Sequence, residues 1–186
     1  ATEFELEVAD AAVPAILDEL KEREARGYTF ELADASLELL MRRASGWTQP
    51  FFEIDSYRVH VEERVGDGES PLAEATVKVR TKGSRHIESA EGHGPVGALD
   101  DALRKALTND YPELRHIELE DYRVRVLAET HGTSAVVRVL IDSSNGERSW
   151  TTVGVSENII EASWEALTDA YLFGLLHPRD AGEPGA

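Results

Sequence analysis

The stretch Phe52-Glu53-Ile54-Asp55-Ser56-Tyr57-Arg58-Val59-His60-Val61 returns further along as Ile117-Glu118-Leu119-Glu120-Asp121-Tyr122-Arg123-Val124-Arg125-Val126, with Tyr57 matched to Tyr122 at an offset of 65. From each tyrosine onward, apolar residues alternate with charged ones. That is the period of a strand covered on one face only. A second strand follows in each copy. Ala75-Thr76-Val77-Lys78-Val79 matches Ala135-Val136-Val137-Arg138-Val139 at an offset of 60. Each copy then runs through a third short strand into an amphipathic helix. The first is expected over Pro95 to Thr108 with the stripe Leu99, Leu103 and Leu107. The second is expected over Glu157 to Phe173 with the stripe Ile160, Trp164, Leu167 and Tyr171. Gly66-Asp67-Gly68 and His131-Gly132 are turn signals after the first strands, and Lys82-Gly83 and Asn145-Gly146 after the second. The prediction is an α+β fold of two pseudo-symmetric βββα units. Repeat 1 spans about 50–111 and repeat 2 about 116–177, within one domain over 49–177.

Residues 1–48 read differently. Val13, Ile16, Leu17 and Leu20 share one helical face, and Gly27 ends that run. Asp34 is placed to cap a second helix presenting Leu37, Leu40, Met41 and Ala44, with Gly46 just past its end. Two helices this short cannot bury their apolar stripes alone. A helical linker is therefore expected to dock on the following domain or on a partner, and to be less protected from hydrogen exchange than the strands. Residues 178–186 read as a flexible tail.

The 186 residues carry a net charge of −17, which argues against nucleic acid and against an anionic membrane surface. The acidity serves solubility or forms an acidic patch. With no cysteine, disulfides, thiolate catalysis and Cys-ligated metals are excluded, and a cytoplasmic setting is compatible. No apolar stretch is long enough to span a bilayer. The start at Ala1-Thr2-Glu3-Phe4 suggests a processed chain or a piece of a longer one.

Catalytic chemistry is hard to place. His60, His86, His93, His116, His131 and His177 are scattered, without metal-ligand spacing on an expected helix, and no nucleophile motif surrounds a serine. No catalytic residue and no metal site is assigned. The strand-to-helix junctions are more informative. Gly92-His93-Gly94-Pro95 and Gly154-Val155-Ser156-Glu157-Asn158 occupy corresponding places, with Ser156 the expected N-cap. Each reads either as a tight turn or as a close backbone approach to an anionic ligand at a helix start.

Ala90-Glu91-Gly92-His93-Gly94-Pro95-Val96-Gly97-Ala98-Leu99 resembles the regulatory-domain signature of the 2-isopropylmalate synthase and citramalate synthase family. Asp121-Tyr122-Arg123-Val124 adds to the resemblance. The run from Val153 through Trp164, together with Gly27-Tyr28-Thr29-Phe30-Glu31 and Ala35 through Arg43, is most similar to the citramalate branch. The resemblance implies an allosteric and dimerisation domain behind a TIM-barrel catalytic domain. That barrel would bind a divalent metal and condense acetyl-CoA with a 2-oxo acid. The present chain would itself be non-catalytic and carry no cofactor. The resemblance also implies a homodimer and feedback inhibition, by isoleucine in the citramalate branch or by leucine in the isopropylmalate branch. A dimerisation module without an effector, or a free-standing α+β enzyme, are the other readings.

Carried across by motif, the implied effector site takes Leu103 from the first helix, and Leu119, Tyr122, Val124 and Val126 from the first strand of repeat 2. Ala135 and Val137 come from the next strand, and Gly154, Val155, Ser156 and Glu157 from the helix start. Gly92 and Gly94 hold the neighbouring turn. Leu103, Val124 and Val137 would serve equally well as plain core.

Overall fold

A computed structural model describes residues 13–62, 72–127 and 135–179. It consists of two compact units, Gln49–Arg115 and a second formed by the N-terminal segment up to Thr48 with His116 onward. Each holds a three-stranded antiparallel sheet in sequential order and the helix that follows it, so the two βββα units are present. The turn signals Gly66-Asp67-Gly68 and His131-Gly132, and most of the expected tail, lie outside the described residues.

In the unit Gln49–Arg115, β1 (Phe52–Glu62), β2 (Leu72–Thr81) and β3 (Ser84–Gly92) lead into α3 (Pro95–Leu107). The helix covers β2 and β3, and Leu99, Leu103 and Leu107 are fully buried along with Ala75, Val77 and Val79. The β2–β3 turn has Lys82 and Gly83 at φ 47° and 81°, the left-handed backbone that the Lys-Gly pair signalled.

The other unit carries β4 (Glu118–Val126), β5 (Val137–Ser144), β6 (Ser149–Ser156) and α4 (Ile159–Leu176). Gly146, at φ 85°, makes its second turn. A register shift between Leu119 and Asp121 puts Leu119 and Tyr122 on one face although they are three residues apart, and Ile54/Ser56 shows the same shift in β1.

The register corrects the sequence alignment of the second strands. Tyr57 pairs with Val77 and Tyr122 with Ile141, so Val77 corresponds to Ile141, an offset of 64 and not 60. Glu88 and Thr152, which face those residues in β3 and β6, keep the same offset. Both runs are valine-rich with period two, so a slip of an even number of residues preserves the pattern and goes unseen in sequence. With the true register, Gly92-His93-Gly94 corresponds to Ser156-Glu157-Asn158.

The linker helices belong to the second unit. α1 (Val13–Ala25) ends at Gly27, φ 113°, and α2 (Asp34–Ala44) ends at Gly46, φ 86°. Ile16, Tyr28, Phe30, Ala33, Leu40 and Met41 form one core with Val153 and Val155, and Leu127 and Leu140 pack against it. These sheet residues lie on the face opposite to the one that α4 covers. Asp34 is not the N-cap expected of it. Ala33 holds that place, and the Asp34 carboxylate instead accepts from the Thr151 backbone N–H at 2.9 Å. Ser36 Oγ accepts from the Val153 N–H at 3.0 Å, and Glu165 from the Val155 N–H at 3.2 Å. Three successive outward N–H groups of the edge strand β6 are thereby sealed by side chains.

Polar contacts tie the linker to α4 as well. Tyr28 Oη donates to Glu165 at 2.7 Å, Arg43 pairs with Asp169 at 2.7 Å, and His177 with Glu38 at 2.9 Å. Burial pushes the Glu38 carboxyl up, but the hydrogen bonds from His177 and Arg42 outweigh it and hold the group below the usual carboxylate value. At Glu165 burial wins over Tyr28 and the Val155 N–H, and the carboxyl is raised.

Two outcomes are expected. Ala33, Ala35 and Leu39 are fully buried. Amides of Ala35 to Met41 should therefore exchange about as slowly as those of β5, against the sequence expectation, and Leu39→Ala should cost about 2–5 kcal/mol in denaturant unfolding. Fast exchange throughout α2 in the intact chain would contradict the docking. The second outcome concerns Glu165. Because its folded-state pKa is raised, its contribution to stability declines as pH rises through that value. Glu165→Gln lacks this decline. The stability difference should move in favour of the variant as pH rises above the usual glutamate value of about 4.3, and a difference that is flat or moves the other way would contradict it.

Candidate functional site

In the second unit α4 sits over β5 and β6, and β4 is the edge strand away from the helix. Val139 and Ile141 are fully buried beneath the helix. Their cross-strand partners Val124 and Tyr122 are 41% and 38% exposed, and Val126 is 62% exposed. Leu119 and Val137, both half-buried, extend this face. An apolar strip therefore runs along β4 with no described residue over it, and it collects Leu119, Tyr122, Val124, Val126 and Val137 from the sequence-derived set. Ser156 pairs with Val137 and lies at the end of the strip, and Ala135 is half-buried just before β5.

Other members of that set are placed differently. Val155 points to the opposite face, into the core shared with the linker, because it pairs with Arg138 and not with Val137 or Val139. Gly154 faces α4 but is buried, and a Cβ there would run into the Ala162 carbonyl. It is a packing glycine that lets helix and strand approach. Ser156 is not the N-cap. Asn158 is, with its Oδ1 accepting from the Ile160 N–H at 2.9 Å, so the helix starts at Ile159, two residues later than expected. Ser156 Oγ accepts from the Asn158 N–H at 3.0 Å and bonds Glu161 at 2.6 Å. Glu157 is exposed in the junction.

Gly92, Gly94 and Leu103 belong to the unit Gln49–Arg115. A Cβ on Gly92 would lie 2.9 Å from the Ala98 backbone nitrogen, a close approach of chain to helix. Gly94 makes no tight turn: its backbone is extended, with φ −162° and ψ 161°, and nothing lies within 4 Å of an added Cβ. Leu103 is fully buried, as a core residue.

Ser163, on α4 beside the strip, was not singled out from sequence. Tyr122 Oη lies 2.7 Å from Ser163 Oγ on α4, and Ser163 Oγ lies 2.6 Å from the Ile159 carbonyl oxygen. The available signal was a serine where the first helix has Leu99, visible once α3 and α4 are aligned from their first residues, Pro95 and Ile159. Among the described residues no three His, Cys, Asp or Glu side chains are grouped to hold a metal ion, and no helix is long and apolar enough to cross a membrane.

Residues 31–173 match the family model described as the LeuA allosteric (dimerisation) domain. The chain belongs to the LeuA allosteric (dimerisation) domain family. Among the relatives of this LeuA domain, the (R)-citramalate synthase of Aquifex aeolicus is 46% identical over 96% of the chain and 34% of the relative. That of Streptomyces coelicolor is 53% identical over 87% of the chain and 30% of the relative. The 2-isopropylmalate synthase of Thermus thermophilus is 36% identical over 75% of the chain and 38% of the relative. The LeuA domain chain thus spans about a third of the length of the relatives it matches.

The glycines separate by substitution. Gly154→Ala should destabilise the domain by about 1–3 kcal/mol, since Cβ and helix backbone compete for one space. Gly94→Asp should leave stability unchanged or raise it by a few tenths of a kcal/mol, as an acidic N-cap in open surroundings. Thermal denaturation of both variants tests this, and equal losses would show the glycine roles to be misread.

Proposed function

We propose that this LeuA domain is the allosteric regulatory and dimerisation domain of an acetyl-CoA-dependent (R)-citramalate synthase, and that it binds isoleucine for feedback inhibition. The relatives named citramalate synthase, at 46–53% identity, support the branch. The observation that carries the reading is the strip Tyr122, Val124 and Val126, apolar and exposed on an outer strand. Exposed large apolar residues placed contiguously mark an interaction surface. A second copy of the chain covers it in a homodimer, and an aliphatic amino acid fits the same chemistry. The parent enzyme is cytoplasmic, and its barrel supplies the divalent-metal and acetyl-CoA chemistry.

The effector acts by binding one arrangement of the dimer better than another, since only differential affinity shifts an equilibrium. Leucine is the alternative effector, supported by the relative named 2-isopropylmalate synthase. One methylene placed differently in an apolar pocket separates ligands by only about 1–3 kcal/mol.

Light scattering should give twice the 20.5 kDa chain mass, and Val124→Asp should shift it towards the single chain mass, because a carboxylate buried in an apolar contact is costly. Titration calorimetry should give heat with isoleucine and weaker or no heat with leucine. The reverse order supports the isopropylmalate branch. Heat with neither leaves a dimerisation module, and a monomer at high concentration counts against the whole reading.

A further inference from the structure

The two repeats differ at a matched helix position beneath the strip. Tyr57 pairs with Val77 and Tyr122 with Ile141, so both tyrosines face the helix of their own repeat. Counting from Pro95 and Ile159, Leu99 in α3 corresponds to Ser163 in α4. Leu99 and Ser163 are both fully buried, so repeat 2 has placed a hydroxyl where repeat 1 keeps an aliphatic side chain. That hydroxyl sits between Ile159 O, at 2.6 Å, and Tyr122 Oη, at 2.7 Å.

The proton inventory settles the direction of both bonds. A serine hydroxyl carries one proton, and a carbonyl oxygen only accepts. Ser163 therefore spends its proton on Ile159 O, and Tyr122 donates its own to Ser163 Oγ. The phenol oxygen then has only lone pairs left to offer. Tyr122 remains 38% exposed beside Val124 and Val126, so the apolar strip includes an acceptor whose polarity is set from beneath.

We propose that Ser163 is a positioning residue of the effector site: it commits Tyr122 Oη to accept from the α-ammonium group of an aliphatic amino acid whose side chain lies along Val124 and Val126. The proposal rests on the reading of this strip as the effector surface. It makes the site selective for an amino acid over the 2-oxo acid with the same carbon skeleton, which has only acceptors at that position. A hydrogen bond to a charged donor is strong enough to carry a discrimination of about tenfold or more.

The test is titration calorimetry of the full chain with isoleucine and with 3-methyl-2-oxopentanoate, on wild type, Ser163→Ala, Tyr122→Phe and the double variant. Wild type should prefer isoleucine. Ser163→Ala should lower that preference about tenfold, because the freed phenol proton now meets the ligand. The double variant should be no worse than Tyr122→Phe alone, since Ser163 acts through the tyrosine. A merely structural role would weaken both ligands alike and leave the ratio untouched. If Ser163→Ala does not fold, Tyr122→Phe reads the same acceptor and should remove the same preference. Wild-type binding with an unchanged ratio in the variants overturns the proposal and leaves the effector surface standing. Absence of binding of either ligand to wild type overturns both.

Discussion

The edge of β6 is the constraint from which the second unit is built. Thr151, Val153 and Val155 present backbone N–H groups outward, and an open edge of this kind would pair with any other strand. Asp34, Ser36 and Glu165 take those three donors. Two of the three acceptors come from the start of α2, so the linker cannot leave without exposing the edge. Tyr28 and Arg43 add bonds to Glu165 and Asp169 on α4. Linker, edge strand and long helix thus share one set of contacts. α4 is buried nearly all round as a consequence.

The repeats look alike but are covered differently, and the cause is chemical. On the sheet face away from the helix, Leu140, Val153 and Val155 in repeat 2 correspond to Thr76, Ser89 and Glu91 in repeat 1. The apolar set takes up the linker core. In the polar set, Thr76 and Ser89 satisfy one another through a hydroxyl pair at 2.9 Å, and Glu91 is exposed. Duplication supplied two similar scaffolds, and three side chains per face decided which one accepts the linker helices.

The candidate surface has the same origin. A helix packed over the second and third strands of a three-stranded sheet leaves its first strand half covered. The first strand of repeat 2 nevertheless keeps large apolar residues at Tyr122, Val124 and Val126. A monomer gains nothing from that choice, since each exposed valine forgoes part of the about 1.5–3 kcal/mol that full burial is worth. Surfaces of this kind make sense when something else closes over them. The hydroxyl pair of Tyr122 and Ser163 adds directionality to a face that is otherwise only apolar.

Much was legible in the sequence because it depends on local period and turn chemistry. Alternation from Tyr57 and Tyr122, glycines at Gly27, Gly46, Gly83 and Gly146, and leucines three turns deep in α3 each name their element without help from the rest of the chain. The strip residues were legible too, since Tyr122, Val124 and Val126 follow from alternation alone. What the sequence could not hold was register and facing. An even slip between valine-rich strands preserves every in–out assignment, so the offset of 60 looked as good as 64. Val155 and Gly154 are neighbours in a motif but point to opposite sides of the sheet, one into the linker core and one against α4. The N-cap passed from Ser156 to Asn158 because both are good caps, and only the strand's end on β6 decided between them. The docking of the linker was likewise decided by tertiary structure, because the donors it seals lie on an edge more than a hundred residues away. Local spacing determines what each segment is, and which faces meet is fixed only when the segments compete for the same buried surface.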